Sequence, residues 1–312
     1  MKIVFGVLII LGSVLLMVFG VFIFLFCFAF VRRKTDCDNL DSPQNDFLRD
    51  YKETVRKGME FIENQPKRQV SIKSYDGLTL VADYYKNGHS KKTIILFHGY
   101  RSSAKRDFSC AVEMYYKMGL NVLLVDQRAH GRSNGKLITF GVKERYDVKS
   151  WIKYVEDTFG QDTSIILDGL SMGATTVLLS AQLNLSKNVK CIIADCGFSS
   201  PAAIIKRVSQ KVYHVNSELI LKILDVFCRI IGGFSIYGVS TKQAMENNNI
   251  PIFICHGKAD DFVPCEMSEE AFDAAVCEKQ IHLCENAGHG MSFLYETEVI
   301  SNKLKSFIEC HI

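Results

Sequence analysis

Gly169-Leu170-Ser171-Met172-Gly173 places a serine between two glycines, after the apolar run Ser164–Asp168 and before an apolar segment of helix length. In strand–turn–helix context this pattern makes a sharp turn that lifts the serine hydroxyl above the end of a sheet. A free hydroxyl is a weak nucleophile and needs an adjacent base. The base and its partner follow in the chain. His289 lies in Asn286-Ala287-Gly288-His289-Gly290, and Asp260 lies in the run from His256 to Pro264, each just past a strand-like segment. In that order His289 takes the serine proton and returns it to the leaving group, while Asp260 orients the imidazole and stabilises it when charged. Ser171, Asp260 and His289 are therefore the expected catalytic set, and acyl transfer the expected chemistry.

Each member has a rival. Asp261 adjoins Asp260, but the H-G-x-x-D-x-x-V-P spacing selects Asp260. Asp195 also ends a strand-like run and is the alternative acid. His256 and His130 are expected to shape their loops. His89, His214, His282 and His311 have no partner pattern. The negative oxygen of a tetrahedral intermediate needs two preorganised N–H groups. One is expected from Met172, directly after the nucleophile. The other is expected from Tyr100, in the loop that follows Phe97-His98-Gly99. No cofactor or metal is expected: His-Glu-x-x-His, zinc-like cysteine spacing and a glycine-rich phosphate loop are all missing from the sequence.

The elements that must hold these residues read as an α/β fold. Strands are expected at Val70–Tyr75, Thr79–Tyr85, Thr93–Phe97, Val122–Asp126, Ser164–Asp168, Cys191–Asp195, Ile252–His256 and Ile281–Cys284. Most are short runs of Ile, Val and Leu, as strands covered on both faces should be. Helices are expected at Ala104–Lys117, Val142–Phe159, Met172–Asn184, Ser268–Val276 and Thr297–Glu309. The alternation implies a mostly parallel eight-stranded sheet with helices on both faces. About fifty residues separate Phe198 from Ile252, too many for a structureless loop. Residues 199–248 are expected as a helical cap, with an ordinary crossover helix pair as the alternative.

Residues 1–35 have another character. Ile3 to Val31 carries no charge, with Lys2 before it and Arg32-Arg33-Lys34 after it. Such a stretch is long enough to cross a bilayer, and its bulky end lacks the small residues of a signal-peptide cleavage site. A retained single-pass anchor is expected, followed by a linker with one helix, Asp46–Glu63, in residues 36–66. The basic flank argues for a cytoplasmic catalytic domain. The 11 cysteines, an odd number in no disulfide-like spacing, point the same way. A hydrophobic fraction of 48% supports a substantial core. A net charge of +3, without a basic block beyond the first 35 residues, points away from nucleic acid.

The motifs His98-Gly99-Tyr100, Asp126 through Ser133 (DQRAHGRS), Gly169 through Gly173, His256 through Pro264 and Gly288-His289-Gly290 resemble the α/β-hydrolase superfamily. The likeness runs from about Val70 to the C-terminus. It is strongest toward serine-aminopeptidase-like and monoacylglycerol-lipase-like hydrolases, including small membrane-anchored members, which commonly face outward; the side of the membrane therefore stays open. The resemblance implies hydrolysis of an ester, thioester or similar acyl bond. The apolar stretch Leu219–Ile231 suggests a hydrophobic acyl group. A peptidase is the alternative, recognisable by an acidic pair in the pocket, and a non-catalytic binding protein on the same fold is a third reading. The sequence does not define the oligomeric state. Asp168, before the elbow, departs from the apolar residue or histidine usual there.

Overall fold

The computed structural model describes residues 2–312; Met1, the first residue of the expected anchor, lies outside the described residues. Eight strands form one sheet: β1 (Arg68–Lys73), β2 (Thr79–Tyr85), β3 (Lys92–Phe97), β4 (Asn121–Asp126), β5 (Ser164–Leu170), β6 (Val189–Asp195), β7 (Ile252–Gly257) and β8 (Lys279–Cys284). Their order is β1-β2-β4-β3-β5-β6-β7-β8. β2 runs antiparallel to β1 and β4, and the remaining neighbours are parallel. This is the expected α/β-hydrolase sheet. β3 is followed in sequence by β4 on one side and flanked by β5 on the other. The loops leaving β3 and β5 therefore diverge at a topological switch point, where open α/β sheets bind ligands.

The helices are α1 (Lys2–Phe30), α2 (Lys52–Asn64), α3 (Ala104–Asp107), α4 (Ser109–Lys117), α5 (Glu144–Phe159), α6 (Met172–Ser180), α7 (Pro201–Tyr213), α8 (Glu218–Phe227), α9 (Thr241–Met245), α10 (Glu266–Ala274), α11 (Ser292–Tyr295) and α12 (Thr297–His311). Each sheet face has its own core. Val55, Met59, Val112, Tyr115, Leu304 and Phe307 from α2, α4 and α12 pack on one face with Leu96, Ile193 and Phe253. Val148, Trp151, Val177, Leu178 and Ala271 from α5, α6 and α10 pack on the other with Ile95, Leu167 and Ile254. Strands covered on both sides have no solvent face to alternate toward, which explains their continuous apolar runs.

Several boundaries differ from expectation. β1 ends at Lys73, two residues early, because Ser74 closes the turn by donating its N–H to the Leu78 carbonyl and accepting the Leu78 N–H on its hydroxyl. The helix expected over Ala104–Lys117 is interrupted at Phe108, beside Asp107, whose carboxylate is turned back to the Gly99 N–H and the Ser102 hydroxyl. The helix expected over Asp46–Glu63 is a 3₁₀ segment, Pro43–Tyr51, followed by α2. Residues 36–66 are not a free linker: Leu40, Leu48, Val55, Met59 and Ile62 are part of the core. Met172–Asn184 divides into α6 and a 3₁₀ turn at Ala181–Leu183.

Between β6 and β7 the chain forms α7, α8, a π-turn at Cys228–Gly232 and α9. Ser200, Ser217 and Ser240 start these three helices, each accepting a backbone N–H on its hydroxyl. Such caps contribute about 1 kcal/mol apiece. A third apolar cluster ties this insertion to the start of α6 and the loops at the strand ends through Phe198, Ile204, Leu224, Cys228, Phe234 and Met172. Phe26 and Phe30 of α1 belong to the same cluster.

Candidate active site

The turn from β5 into α6 is held by steric fit. A Cβ on Gly173 would lie 1.8 Å from the Phe97 carbonyl oxygen, and one on Gly169 would lie 2.3 Å from the Gly173 backbone. Only glycine permits strand and helix to approach so closely. Between them Ser171 adopts φ +55° and ψ −114°. A side-chain-bearing residue there stores about 1–3 kcal/mol of strain. The Ser171 N–H donates to the Asp195 carbonyl at 2.8 Å and the Ser171 carbonyl accepts the Thr175 N–H at 3.0 Å, which fixes the turn from both sides.

Ser171 Oγ lies 2.9 Å from His289 Nε2, and His289 Nδ1 lies 2.6 Å from Asp260 Oδ2. With the Nδ1 proton donated to the carboxylate, Nε2 is left as the acceptor facing the hydroxyl. Asp260 is anchored in turn. Its Oδ1 accepts the N–H groups of Phe262 at 2.9 Å and Val263 at 2.8 Å. Its Oδ2 also meets His256 Nε2 at 3.2 Å. Burial pushes this carboxyl up, but the bonds from His256 and His289 and the Val263 N–H outweigh it and hold the group well below the usual carboxylate range. Asp260 thus stays ionised beside the His289 ring. The rival Asp195 makes no bond to His289; its Oδ1 is met by the Ser292 hydroxyl at 3.4 Å. The rival Asp261 pairs with Lys211 of α7 at 2.6 Å. His256 braces Asp260, and its Nδ1 meets the Ser268 hydroxyl at 2.7 Å.

The loop after β3 flanks Ser171: a Cβ on Gly99 would lie 3.6 Å from the Ser171 Cβ. The Gly99 N–H donates to Asp107 Oδ2 at 2.8 Å and the Arg101 N–H donates to His130 Nε2 at 3.0 Å. The Tyr100 N–H between them has no partner among the described residues. Met172 opens α6, where the first N–H groups lack intrahelical carbonyls. These are the two residues from which donors are expected on the sequence. Burial holds His98 and His130 below the ordinary histidine value, so both rings are neutral and serve as backbone acceptors. His98 Nε2 accepts the Gln127 N–H at 3.1 Å.

Sequence reasoning missed a second set of braces. Arg101 reaches back to the end of α1, donating to the Phe28 carbonyl at 2.7 Å and the Val31 carbonyl at 3.2 Å. The Tyr100 hydroxyl donates to the Ala29 carbonyl at 2.7 Å. Arg32 donates to the Ser133 carbonyl at 2.6 Å, and the Phe30 carbonyl accepts the Ile138 N–H at 2.7 Å. The last carbonyls of a helix have no partner within it, and here the loop beside Ser171 takes those of Phe28 and Ala29. The only sequence signal was indirect: uncharged helix and basic flank run on together into the domain.

A cavity of about 350 Å³ leads from Ser171 and His289 into the core between the sheet and α2, α4 and α12. Leu48, Val55, Phe108, Ile193, Phe253 and Leu304 line it, together with the carboxyls of Asp168 and Asp195. Burial raises Asp168 to about 7 and Asp195 to about 6. Asp168 accepts the Tyr115 hydroxyl at 2.7 Å, which is the structural place of that unusual residue. No residue of Leu219–Ile231 lines this cavity. The hydrophobic acyl site expected there is corrected: the inner face of that stretch packs on the third cluster instead. Two groups of three donors lie within 4.8 Å of one another, Cys196/Asp260/His289 and His282/Cys284/Glu296. In the first, Asp260 and His289 are bonded to each other; in the second, His282 is bonded to Glu296 at 2.7 Å and to Lys303 at 2.8 Å.

The family model described as "Serine aminopeptidase, S33" matches residues 88–229, which include Tyr100 and Ser171. The esterase Pf2001 of Pyrococcus furiosus superposes with a TM-score of 0.66 at 25% identity, covering 79% of this chain and 92% of that one. The chain is an α/β hydrolase by fold, similar over residues 88–229 to the serine aminopeptidases. This α/β hydrolase is 25% identical over 280 residues to the uncharacterised protein YqkD of Bacillus subtilis (strain 168), covering 90% of this chain and 89% of the relative. It is 22% identical over 224 residues to the protein bem46 of Schizosaccharomyces pombe, covering 70% and 68%. Est1E of Butyrivibrio proteoclasticus, with ferulic acid bound, shares the fold, with a TM-score of 0.62 at 20% identity over 78% of this chain and 98% of that one. Together they support a hydrolase on the α/β-hydrolase fold.

Proposed function

We propose that this α/β hydrolase cleaves carboxylic ester or thioester bonds through an acyl-Ser171 intermediate. The hydrogen-bonded line from Ser171 Oγ to His289 to Asp260 carries the reading. Nε2 takes the hydroxyl proton as Oγ adds to the carbonyl carbon. The oxygen turned negative is received by the N–H groups of Tyr100 and Met172, each worth about 3–4 kcal/mol in such sites. The imidazolium then gives its proton to the leaving oxygen or sulfur, and the C–O or C–S bond breaks. Water enters, loses its proton to Nε2 and releases the acid, restoring Ser171. Asp260 keeps its charge throughout and stabilises the imidazolium.

The apolar lining of the cavity supports a hydrophobic acyl group or alcohol. A panel of p-nitrophenyl esters from two to sixteen carbons tests this, expressed as kcat/KM. A maximum at medium or long chains is expected; a steady fall from acetate onward would contradict it. A second reading, an amine-bearing or peptide substrate, is favoured by the two carboxyls inside the cavity, of which Asp195 is the less fully bonded. The cap carboxylates do not serve: Glu218 accepts the Tyr237 hydroxyl at 2.7 Å, and Asp225 is taken by Arg229, Ser235 and the Ile236 N–H. Faster turnover of alanyl than of propionyl esters, lost in Asp195→Asn, would select that reading. The intact hydrogen-bonded set argues against a purely binding role.

The same reading includes a retained membrane anchor. Phe26 and Phe30 are 2% and 0% exposed, and a cleaved leader would take them out of the core.

A further inference from the structure

The outer face of the cap plays no part in the cavity. Leu219 is 67% exposed, Val226 49%, Ile230 78% and Ile231 48%. Leu219, Val226 and Ile230 recur at i, i+7 and i+11, on one side of α8 and its π-turn, opposite the buried Leu221, Leu224 and Cys228. Such a contiguous apolar stripe marks an interaction surface.

α1 tells what that surface meets. At 1.5 Å per residue, about 20 residues cross the ~30 Å hydrocarbon layer. Counted from Ile3, the span ends near Phe22, which is also the first residue of α1 buried against the domain. Phe227, at the end of α8, packs on Phe19 at 5.4 Å and Phe22 at 5.8 Å between ring centroids. The C-terminal end of α8 therefore stands level with the edge of the hydrocarbon. α7 and α8 with the π-turn carry Lys206, Arg207, Lys211, Lys222 and Arg229; Lys206, Lys211 and Arg229 pair with Glu218, Asp261 and Asp225, and Arg207 and Lys222 stand outside these ion pairs. That excess of cations suits phosphate headgroups, and an apolar stripe bordered by lysine and arginine is the pattern of an interfacial helix.

We propose that the outer face of α8 and its π-turn rests in the interfacial zone of a phospholipid bilayer, with Val226, Ile230 and Ile231 among the upper acyl chains. This rests on the reading of α1 as a retained anchor. The domain then sits on the membrane in one fixed orientation rather than swinging on a tether.

The full chain in phosphatidylcholine–phosphatidylserine nanodiscs tests this. The one native tryptophan, Trp151, is 0% exposed and supplies a constant background. Ile230→Trp adds an indole at an exposed site, Leu15→Trp marks the span, and Val276→Trp marks an exposed site just before β8, at the opposite end of the parallel strands from Ser171. A blue-shifted emission and about twofold quenching by lipids brominated high in the acyl chain are expected for Ile230→Trp, with Val276→Trp unaffected. Water-like, unquenched emission from Ile230→Trp while Leu15→Trp is quenched would overturn the proposal and leave the anchor standing. If Leu15→Trp is also unquenched, the anchor reading fails and the proposal with it. Val226→Trp repeats the test on the second site should Ile230→Trp fail to fold.

Discussion

Phe30→Ala tests whether the apolar N-terminal helix is part of the folded hydrolase. Phe30 is 0% exposed and packs against three rings, Phe26 at 5.3 Å, Phe234 at 5.4 Å and Phe140 at 5.5 Å. Phe140 in turn stacks on Tyr100 at 5.0 Å. Removing a ring so enclosed forfeits its burial and leaves a cavity, at a cost of about 3–5 kcal/mol. For a domain of this size each kcal/mol moves the melting temperature by about 2–4 °C. A fall of roughly 6–20 °C follows. The assay is thermal unfolding of the full chain in detergent, read by near-ultraviolet circular dichroism. Leu15→Ala is the control, since Leu15 is 69% exposed; its melt should match the wild type. An unshifted melt for Phe30→Ala, or a mature chain that begins after Phe30, would refute the reasoning.

Three further outcomes follow from the site. Gly173→Ala should abolish folding or activity, because its Cβ would fall 1.8 Å from the Phe97 carbonyl oxygen; expression yield and esterase activity read this. Asp260→Asn should fold yet lose about four orders of magnitude in kcat, as expected when the imidazole loses its orienting carboxylate, and a short-chain ester assay measures it. Asp168→Asn bears on stability against pH. Burial raises this carboxyl to about 7, so between about pH 4 and 7 the folded state holds a proton that the unfolded state has released, and stability falls as pH rises through that window. The variant lacks that loss while its amide oxygen still accepts the Tyr115 hydroxyl. Its melting temperature should exceed the wild type's by more at pH 8 than at pH 5.

The sheet was legible because strands covered on both faces must be apolar throughout, and Ile94–Phe97, Val122–Val125 and Ile165–Leu167 say so residue by residue. The hydrolase elbow was legible because two glycines and a serine are what its sterics require. The helix break at Phe108 was not, since it depends on Asp107 bonding across to Gly99. Nor was the place of the cavity beside Ser171. Apolar residues of the cap and of residues 43–55 look alike in sequence, and only the packing shows that Leu48 and Val55 face Ser171's cavity while Val226 and Ile230 face outward. The bracing of Tyr100 and Arg101 by α1 joins segments about seventy residues apart through backbone carbonyls, which every residue type carries.

The nucleophilic role of Ser171 is the centre of this account, and a fluorophosphonate reaction with the full chain tests it most directly. Mass spectrometry of the digested protein should place one covalent adduct on the peptide bearing Ser171, absent from Ser171→Ala and strongly slowed in His289→Ala. Folded wild type that takes up no probe, or an adduct on another residue that persists in Ser171→Ala, would contradict it.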